Sequence, residues 1–334
     1  MRHGGIAVVI WHANSPHAEH LAQRMGAELY CIDFVKLKKR SLLPIRYILQ
    51  WLATWVALFR QRPDCVVVIN TPAFAPLCVG IFCFVFRTPY ILNVHGHSLM
   101  GKWAWAVPLQ RILARYALVN IVQQDLHQCL YQRWGAPIIR LERAPMSAPA
   151  TTTAPALEQG HYVITVVSTF ASDEPLELVV DAARQVSDVH IYVLGDKARA
   201  PKELLAQAPS NVTFTGFLRG RDYWDQLNAS HAIMTLTTTP YSMVSGGIEG
   251  MALKKPLILS RQPALTAYFT KGAVFVDHSV AELVDAIKQV RAQHSQLENE
   301  IGELLAEKQA RWDATLSRLM ELIGARKWES SLSE

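Results

Sequence analysis

The sequence predicts an α/β protein made of two Rossmann-like, doubly wound domains that face each other across a cleft. Three observations carry this expectation. Short β-branched runs alternate with amphipathic helical patterns along nearly the whole chain, as expected for parallel sheets covered on both faces. The alternation breaks at residues 147–160, Ser-Ala-Pro-Ala-Thr-Thr-Thr-Ala-Pro-Ala-Leu-Glu-Gln-Gly, where hydrophobes thin out and Pro and Thr accumulate as in a linker. The length, 334 residues, is about twice that of a usual single domain.

Each element has its own signal. An apolar run over 6–11 leads into a polar loop and a helical pattern from His17, the opening of an α/β unit. A strand is predicted over 28–33, and a helix over 45–60, where Ile45, Ile48, Leu49, Leu52, Trp55, Val56 and Phe59 recur at helical spacing. No charge occurs between Asp64 and Arg87, 22 positions, about the length a membrane-spanning helix needs. Val66 to Ile69 is nonetheless β-branched, Asn70-Thr71-Pro72 is a turn, and Pro76 suits the first turn of a following helix. Strand, loop and buried helix is therefore preferred, with a membrane span as the alternative. A strand over 90–94, a helix and strand within 108–122, and a helix over 126–134 complete a first domain, residues 1–146.

Beyond the linker the pattern restarts. Strands are expected over 163–167, 190–195, 212–215, 232–235, 256–260 and 273–276. Helices are expected over 176–185, 202–207 and 221–229, from near Gly247, and from Val280 onward. This second domain covers 161–310. The segment 311–334 reads as an amphipathic helix that returns to the first domain, with a coiled-coil dimer as the alternative.

Charge divides at the same boundary. Residues 1–150 contain 16 Lys and Arg against 6 Asp and Glu, a net of +10, and residues 151–334 contain 17 against 22, a net of −5. A basic half suits nucleic acid, an anionic membrane surface or an anionic substrate. No nucleic-acid-binding module is recognisable and the second half is acidic, which argues against nucleic acid. The basic run Lys36 to Arg40, the tryptophans Trp51 and Trp55 at helical spacing, and Trp103 and Trp105 behind Lys102 would suit an anionic membrane surface; the same stripe could equally be the core face of its helix. With 50% hydrophobic and 18% charged residues, long disorder is excluded. Five cysteines, Cys31, Cys65, Cys78, Cys83 and Cys129, without any Cys-x-x-Cys spacing, read as buried free thiols of a reducing compartment. The N-terminal apolar run is too short for a signal-peptide core, so a cytoplasmic location is expected. No Gly-x-Gly-x-x-Gly follows the first strand, which disfavours a dinucleotide cofactor.

The most informative segment runs from Thr235 to Ser260. A strand ends in a Thr-rich loop, Ser245-Gly246-Gly247 opens a helix, Glu249 falls in its first turn, and Lys255-Pro256 stops it before another strand. Glycines at a helix start let backbone N–H groups approach a phosphate, and the helix dipole favours its charge. Glu249 could accept hydrogen bonds from ribose hydroxyls. The alternative is a Ser N-cap with a dipole-compensating glutamate.

This pattern, Gly-Gly-x-Glu-x-Met-Ala-Leu-x-x-Pro-Leu-Ile in its chain context, resembles the donor-site helix of GT-B glycosyltransferases. It is particularly similar to the retaining, family 4-like nucleotide-sugar enzymes with a Glu-x7-Glu signature. Val166 to Phe170, Val193 to Asp196, Val212 to Phe217 and Lys271 to Asp277 add similarities in the family's order over 161–290. The resemblance implies transfer of a sugar from a nucleotide diphosphate sugar, UDP-linked, to a lipid-linked or glycan acceptor, with no cofactor and no metal. Together with the basic, aromatic-rich first half, it leads to the expectation of a peripheral polysaccharide-system enzyme at the cytoplasmic face of the membrane. Carried over by position, Glu249 holds the ribose and Ser245, Gly246 and Gly247 cradle the diphosphate. Gly216, Phe217 and Leu218 flank the nucleobase, and His95 faces the transferred sugar. Ser168, Thr169, Tyr241, Ser242, Met243 and Val244 complete the donor set.

His95 or His97 could serve as a base toward the acceptor, although retaining transfer often leaves the proton to the departing phosphate. Asn14, Ser15 and His17, in the first strand-to-helix loop, are candidates for acceptor recognition, or else an N-capped helix start with solvated His. Two departures stand out. Tyr241 occupies the position of the first signature glutamate, and the Arg and Lys that usually neutralise the diphosphate align with Thr169 and Glu174. Lys197, Arg219, Arg221 and Arg261 are the candidate substitutes. The resulting alternative is a non-catalytic, glycosyltransferase-like subunit.

Overall fold

The computed structural model describes residues 5–12, 16–33, 42–94, 101–123, 125–146, 148–149 and 161–332. The chain forms two compact units, Met1–Ala144 with Arg311–Glu334, and Pro145–Ala310.

The first unit runs β1 (Ile6–Ile10), α1 (Pro16–Met25), β2 (Glu28–Cys31), α2 (Leu43–Gln61), β3 (Cys65–Ile69), α3 (Phe74–Val85), β4 (Tyr90–Asn93), α4 (Val107–Tyr116), β5 (Val119–Val122), α5 (Asp125–Arg133) and β6 (Ile138–Arg140). Its six strands are ordered β2-β1-β3-β4-β5-β6 and pair in parallel throughout. The four inner strands are buried at every position, which is why they read as unbroken apolar runs rather than alternating ones. The short edge strand β6 carries too little pattern to be anticipated.

The uncharged stretch after Asp64 is divided between β3 and the 12-residue α3. Among the described residues no helix is long and apolar enough to cross a membrane, so the span alternative is not what forms. On α2 the tryptophans follow the core-face reading, while the fully buried line beside them was not anticipated. Its inward line is Gln50, Thr54 and Leu58, with Trp51 and Trp55 half-buried against the core. The buried polar groups are satisfied nearby: Trp11 Nε1 donates to Thr54 Oγ1 at 2.9 Å, and Gln50 Nε2 to the Ile32 carbonyl at 2.7 Å. Ile48, Leu52, Val56 and Phe59 consequently face solvent. The thiols divide as well: Cys65, Cys78 and Cys83 are buried, whereas Cys31 and Cys129 are exposed, correcting the expectation that all lie inside.

The second unit runs β7 (Tyr162–Val167), α6 (Leu176–Ala183), β8 (Val189–Leu194), α7 (Lys202–Ala206), β9 (Val212–Gly216), α8 (Gly220–Ala229), β10 (Ala232–Thr235), α9 (Ser245–Ala252), β11 (Leu257–Ser260), α10 (Pro263–Tyr268), β12 (Ala273–Val276) and α11 (Val280–Ala292). The parallel order is β12-β11-β10-β7-β8-β9. The six-residue α10, opened by Pro263, has no counterpart in the sequence reading. Apolar residues of α6 and α11 pack on one face of the sheet, and those of α8, α9 and α10 on the other.

The last helix, α12 (His294–Leu332), is 39 residues long. Its Ile301, Leu304 and Leu305 join the core of the second unit. Further along, Trp312, Leu316, Leu319 and Ile323 cover, beside α1, the face of the first sheet that carries Val8, Val67, Ile91 and Ile121. Within the first unit these residues of α12 recur at steps of three and four, as an apolar helix face does.

Candidate functional site

In the second unit the order of strands reverses between β7 and β10, so the segments leaving their carboxyl ends part to opposite faces of the sheet. Such a switch point is where open α/β sheets bind ligands. Ser168 and Thr169 follow β7, the loop 236–244 follows β10, and α9 begins immediately after it.

The first residues of α9 show why glycine is needed there. A Cβ on Gly246 would lie 2.4 Å from Thr235 Oγ1 and 2.7 Å from Val167 Cβ, and one on Gly247 would lie 2.9 Å from the Phe269 ring. The glycines therefore seat the helix start closely on β7 and β10. The N-cap position is held by Val244, in extended conformation and without a side-chain cap hydrogen bond, so the Ser N-cap alternative does not form. The helix start presents its backbone N–H groups with the positive end of its dipole.

Glu249 is the fifth residue of this helix rather than part of its first turn, because the helix already starts at Ser245. It is half-buried, and Tyr223 on α8 donates its phenol to Glu249 Oε2 at 2.5 Å. Burial and the adjacent carboxylate raise the Tyr223 pKa, which keeps the phenol a donor and the carboxylate its acceptor. Tyr223 escaped the sequence reading because nothing in its helix distinguishes it. Only the packing of α8 beside α9 brings it to Glu249.

The loop after β7 is organised by Glu174. Its Oε2 accepts from Ser168 Oγ at 2.6 Å, from the Thr169 N–H at 2.8 Å and from the Ala171 N–H at 3.2 Å, while Oε1 accepts from Thr169 Oγ1 at 3.0 Å. Phe170, between the two amides, has a φ of 55°, the left-handed conformation that lets neighbouring N–H groups converge into an anion-binding nest. An internal carboxylate fills that nest. Next to it, Asp173 Oδ2 accepts from Thr237 Oγ1 at 2.7 Å and Thr239 Oγ1 at 3.1 Å, and the Thr238 N–H bonds the Asp173 carbonyl at 2.8 Å. The Thr237 hydroxyl, foremost, holds the Asp173 carboxyl below its usual pKa. The pair Asp173-Glu174 thus ties the β7 loop to the β10 loop. Thr237 is anchored further by its N–H to Ser260 Oγ at 2.9 Å, which lies 2.8 Å from His278 Nε2.

The other donor candidates separate into two groups. Ser168 is buried and committed to Glu174, and Val244, Met243 and Leu218 pack against the core formed by α8, α9 and α10. Thr169, Phe217 and Tyr241 are exposed, Phe217 with the Arg219 guanidinium 4.9 Å above its ring. Gly216 ends β9 with a φ of 87°, a conformation costly for other residues. Ser242 donates its N–H to the Thr239 carbonyl at 3.3 Å. Of the candidate cations, Arg261 is paired with Asp277 at 2.9 Å and Arg221 with Asp225 at 3.4 Å. Lys197 is exposed beside Gly216, where a Cβ would come within 3.9 Å of its Cε. His95, His97, Asn14 and Ser15 lie outside the described residues, as do Lys36 to Arg40, and of His17 only its place in α1 is described. Among the described residues no group of three or more His, Cys, Asp or Glu is placed to hold a metal ion.

Residues 161–293 match the family described as glycosyl transferases group 1. The group 1 match covers the whole switch point, from the β7 loop through Glu249. Solved structures align along nearly all of the chain. Sucrose-phosphate synthase from Thermosynechococcus elongatus is 13% identical, with 98% of this chain and 100% of that one covered and a TM-score of 0.71. A glycosyltransferase from Rickettsia africae is 16% identical over 96% and 97%, with a TM-score of 0.73. Anabaena HepE, solved with UDP and glucose, is 14% identical over 99% and 100%, with a TM-score of 0.66. These likenesses establish the GT-B fold, and with the group 1 match they support a glycosyltransferase. No curated protein matches the sequence.

Proposed function

We propose that the protein transfers a sugar from a nucleotide diphosphate sugar, UDP-linked, to a lipid-linked or glycan acceptor, retaining the anomeric configuration and using no metal. The observation that carries the reading is Glu249, held by Tyr223 on the helix whose N-terminus opens at the switch point of a group 1 glycosyltransferase domain. In this assignment Glu249 accepts the ribose hydroxyls and the N–H groups of Ser245, Gly246 and Gly247 bind the diphosphate. Phe217 and Leu218 border the base. Backbone donors at the leaving phosphate stabilise the charge that develops as the bond from the sugar C1 to the phosphate oxygen breaks. The acceptor oxygen takes the place of that phosphate, and its proton passes to the departing phosphate or to His95 or His97. The complex of HepE with UDP and glucose favours a uridine nucleotide.

A second reading has one observation in its favour. Glu174 fills an anion-binding loop with an internal carboxylate, which suits a non-catalytic, glycosyltransferase-like subunit. Heat protection across a panel of UDP, GDP and ADP sugars tests both. Stabilisation by a UDP sugar, with hydrolysis or transfer of its sugar, is the expected result. A panel without any stabilisation would favour the non-catalytic reading.

A further inference from the structure

The helical layer of the first unit formed by α2, α3 and α4 presents an unusual outer surface. Along α2, Ile48, Leu52, Val56 and Phe59 form a stripe at steps of three and four residues, with Ile48 60% and Leu52 57% exposed. On α3, Phe84 is 86% exposed and Val85 follows it at 56%. The two stripes meet where the Phe59 and Phe86 rings approach to 5.9 Å. Large aliphatic and aromatic side chains placed contiguously in water mark an interaction surface rather than ordinary exposure.

Charge says what covers it. The helices α2, α3 and α4 contain no Asp or Glu. Between residues 34 and 124 there are 11 Lys and Arg and a single acid, Asp64. Arg60, Arg62 and Arg87 stand at the carboxyl ends of α2 and α3, beside the junction of the stripes, with the Arg62 guanidinium 5.8 Å from the Phe59 ring. A second copy of this chain would bring cations against cations. An anionic bilayer surface accepts the apolar residues into its interface and pairs the rim of arginines with lipid phosphates. We infer that the outer face of α2 and α3 is an interfacial membrane-docking surface, which inserts Leu52, Val56, Phe59 and Phe84 among the lipids and binds anionic headgroups through Arg60, Arg62 and Arg87. It is not the tryptophan stripe suggested by the sequence, because Trp51 and Trp55 are turned toward the core.

This surface goes beyond the transfer reading and stands independently of it. The test is sedimentation of the full-length protein with vesicles of phosphatidylcholine containing 30 or so per cent phosphatidylglycerol, and with phosphatidylcholine alone. The expected result is binding to the anionic vesicles that weakens with added salt and falls at least tenfold in Leu52→Glu/Phe84→Glu. Arg60→Gln/Arg62→Gln should weaken binding several-fold on anionic vesicles only. Circular dichroism melting confirms that each variant is folded. Equal binding to both vesicle types, no binding, or variants that bind like the wild type would overturn the inference. So would a wild-type dimer in solution that Phe84→Glu converts to monomer. Heat protection by sugar nucleotides, measured on the same variants, is expected to be unchanged. A silent nucleotide panel with intact vesicle binding would sink the transfer reading alone.

Discussion

Removing the Tyr223 phenol is the most direct probe of the proposed donor site, because Tyr223 is not itself assigned to the ligand. Its only polar group donates to Glu249 Oε2 at 2.5 Å. Hydrogen bonds to charged groups contribute about 1.5–3 kcal/mol. Both residues are half-buried, so water compensates in part and the lower end of that range, about 1.5 kcal/mol, is appropriate. If the carboxylate must be held in place to meet the ribose, Tyr223→Phe should weaken UDP-sugar binding by about tenfold at most. Glu249→Ala removes the acceptor itself and should cost about tenfold to a hundredfold. Calorimetric titration of both variants and of the double variant completes a cycle. The double variant should bind no worse than Glu249→Ala, since the phenol acts only through the carboxylate. Tyr223→Phe binding within twofold of wild type beside a crippled Glu249→Ala would show that the tyrosine merely packs. Wild-type affinity and transfer in Glu249→Ala would refute the ribose assignment.

Four further expectations follow from contacts in the same structure. Gly246→Ala places a methyl group 2.4 Å from Thr235 Oγ1; overpacking of about 1–3 kcal/mol against a helix-propensity gain of about 1 should lower the melting temperature by a few degrees, and an unchanged or raised value would refute the close packing. Glu174→Gln should tighten diphosphate binding by roughly threefold to tenfold by removing a negative charge beside the site; calorimetry showing weaker binding would mean that the carboxylate serves the ligand. Because the Asp173 carboxyl lies below its usual pKa through Thr237, its stabilising contribution is complete above the unfolded carboxylate value and is lost as pH falls through the lower folded one. Hydrogen exchange of residues 168–175 should therefore stay slow to more acidic pH in wild type than in Thr237→Val. Finally, iodoacetamide at pH 8 should modify Cys31 and Cys129 in the native protein, while Cys65 and Cys78, whose burial pushes their pKa values up to about 12, react only after unfolding, as mass spectrometry would show.

Much of the fold was legible because parallel sheets buried on both faces need unbroken apolar strands, and these are visible in any single sequence. The run Val66 to Ile69 could be separated from a membrane span by its β-branching and the following Pro, and the structure makes it a central strand. Legibility failed where the deciding interaction is nonlocal. The stripe on α2 has a clear period, yet the period alone does not say which side meets the core. Gln50 and Thr54 face inward because Trp11 and the Ile32 carbonyl supply partners from elsewhere in the chain. Glu249 and the glycines were legible as a local motif with an expected helix, whereas Tyr223, Thr237 and Ser260 acquire their positions only through packing between elements. Glu174 was legible as a departure from the resemblance, but that it would be grasped by its own loop was not.

The grasp on Glu174 changes the electrostatic argument about the donor. Its carboxylate takes four hydrogen bonds from a single short loop, and releasing it would leave those donors to water. The β7 side of the switch point therefore carries a fixed negative charge, while the β10 side presents the positive end of α9, equivalent to roughly half an elementary charge at the helix end. Under the proposed function, a diphosphate entering such a site would be drawn to the α9 amides and kept off the β7 loop. Arg261 and Arg221 are already paired with Asp277 and Asp225, which leaves Arg219, shortly after β9, and Lys197, whose Cε would lie 3.9 Å from a Cβ on Gly216, as exposed cations beside the loop proposed to flank the base. Binding that leans on backbone amides is short-ranged and weakly screened, unlike binding by mobile surface cations. UDP affinity should accordingly fall only a few-fold between about 0.05 and 0.5 M salt. A steep loss over that range would place the diphosphate on side-chain cations and overturn the assignment to the amides of Ser245, Gly246 and Gly247.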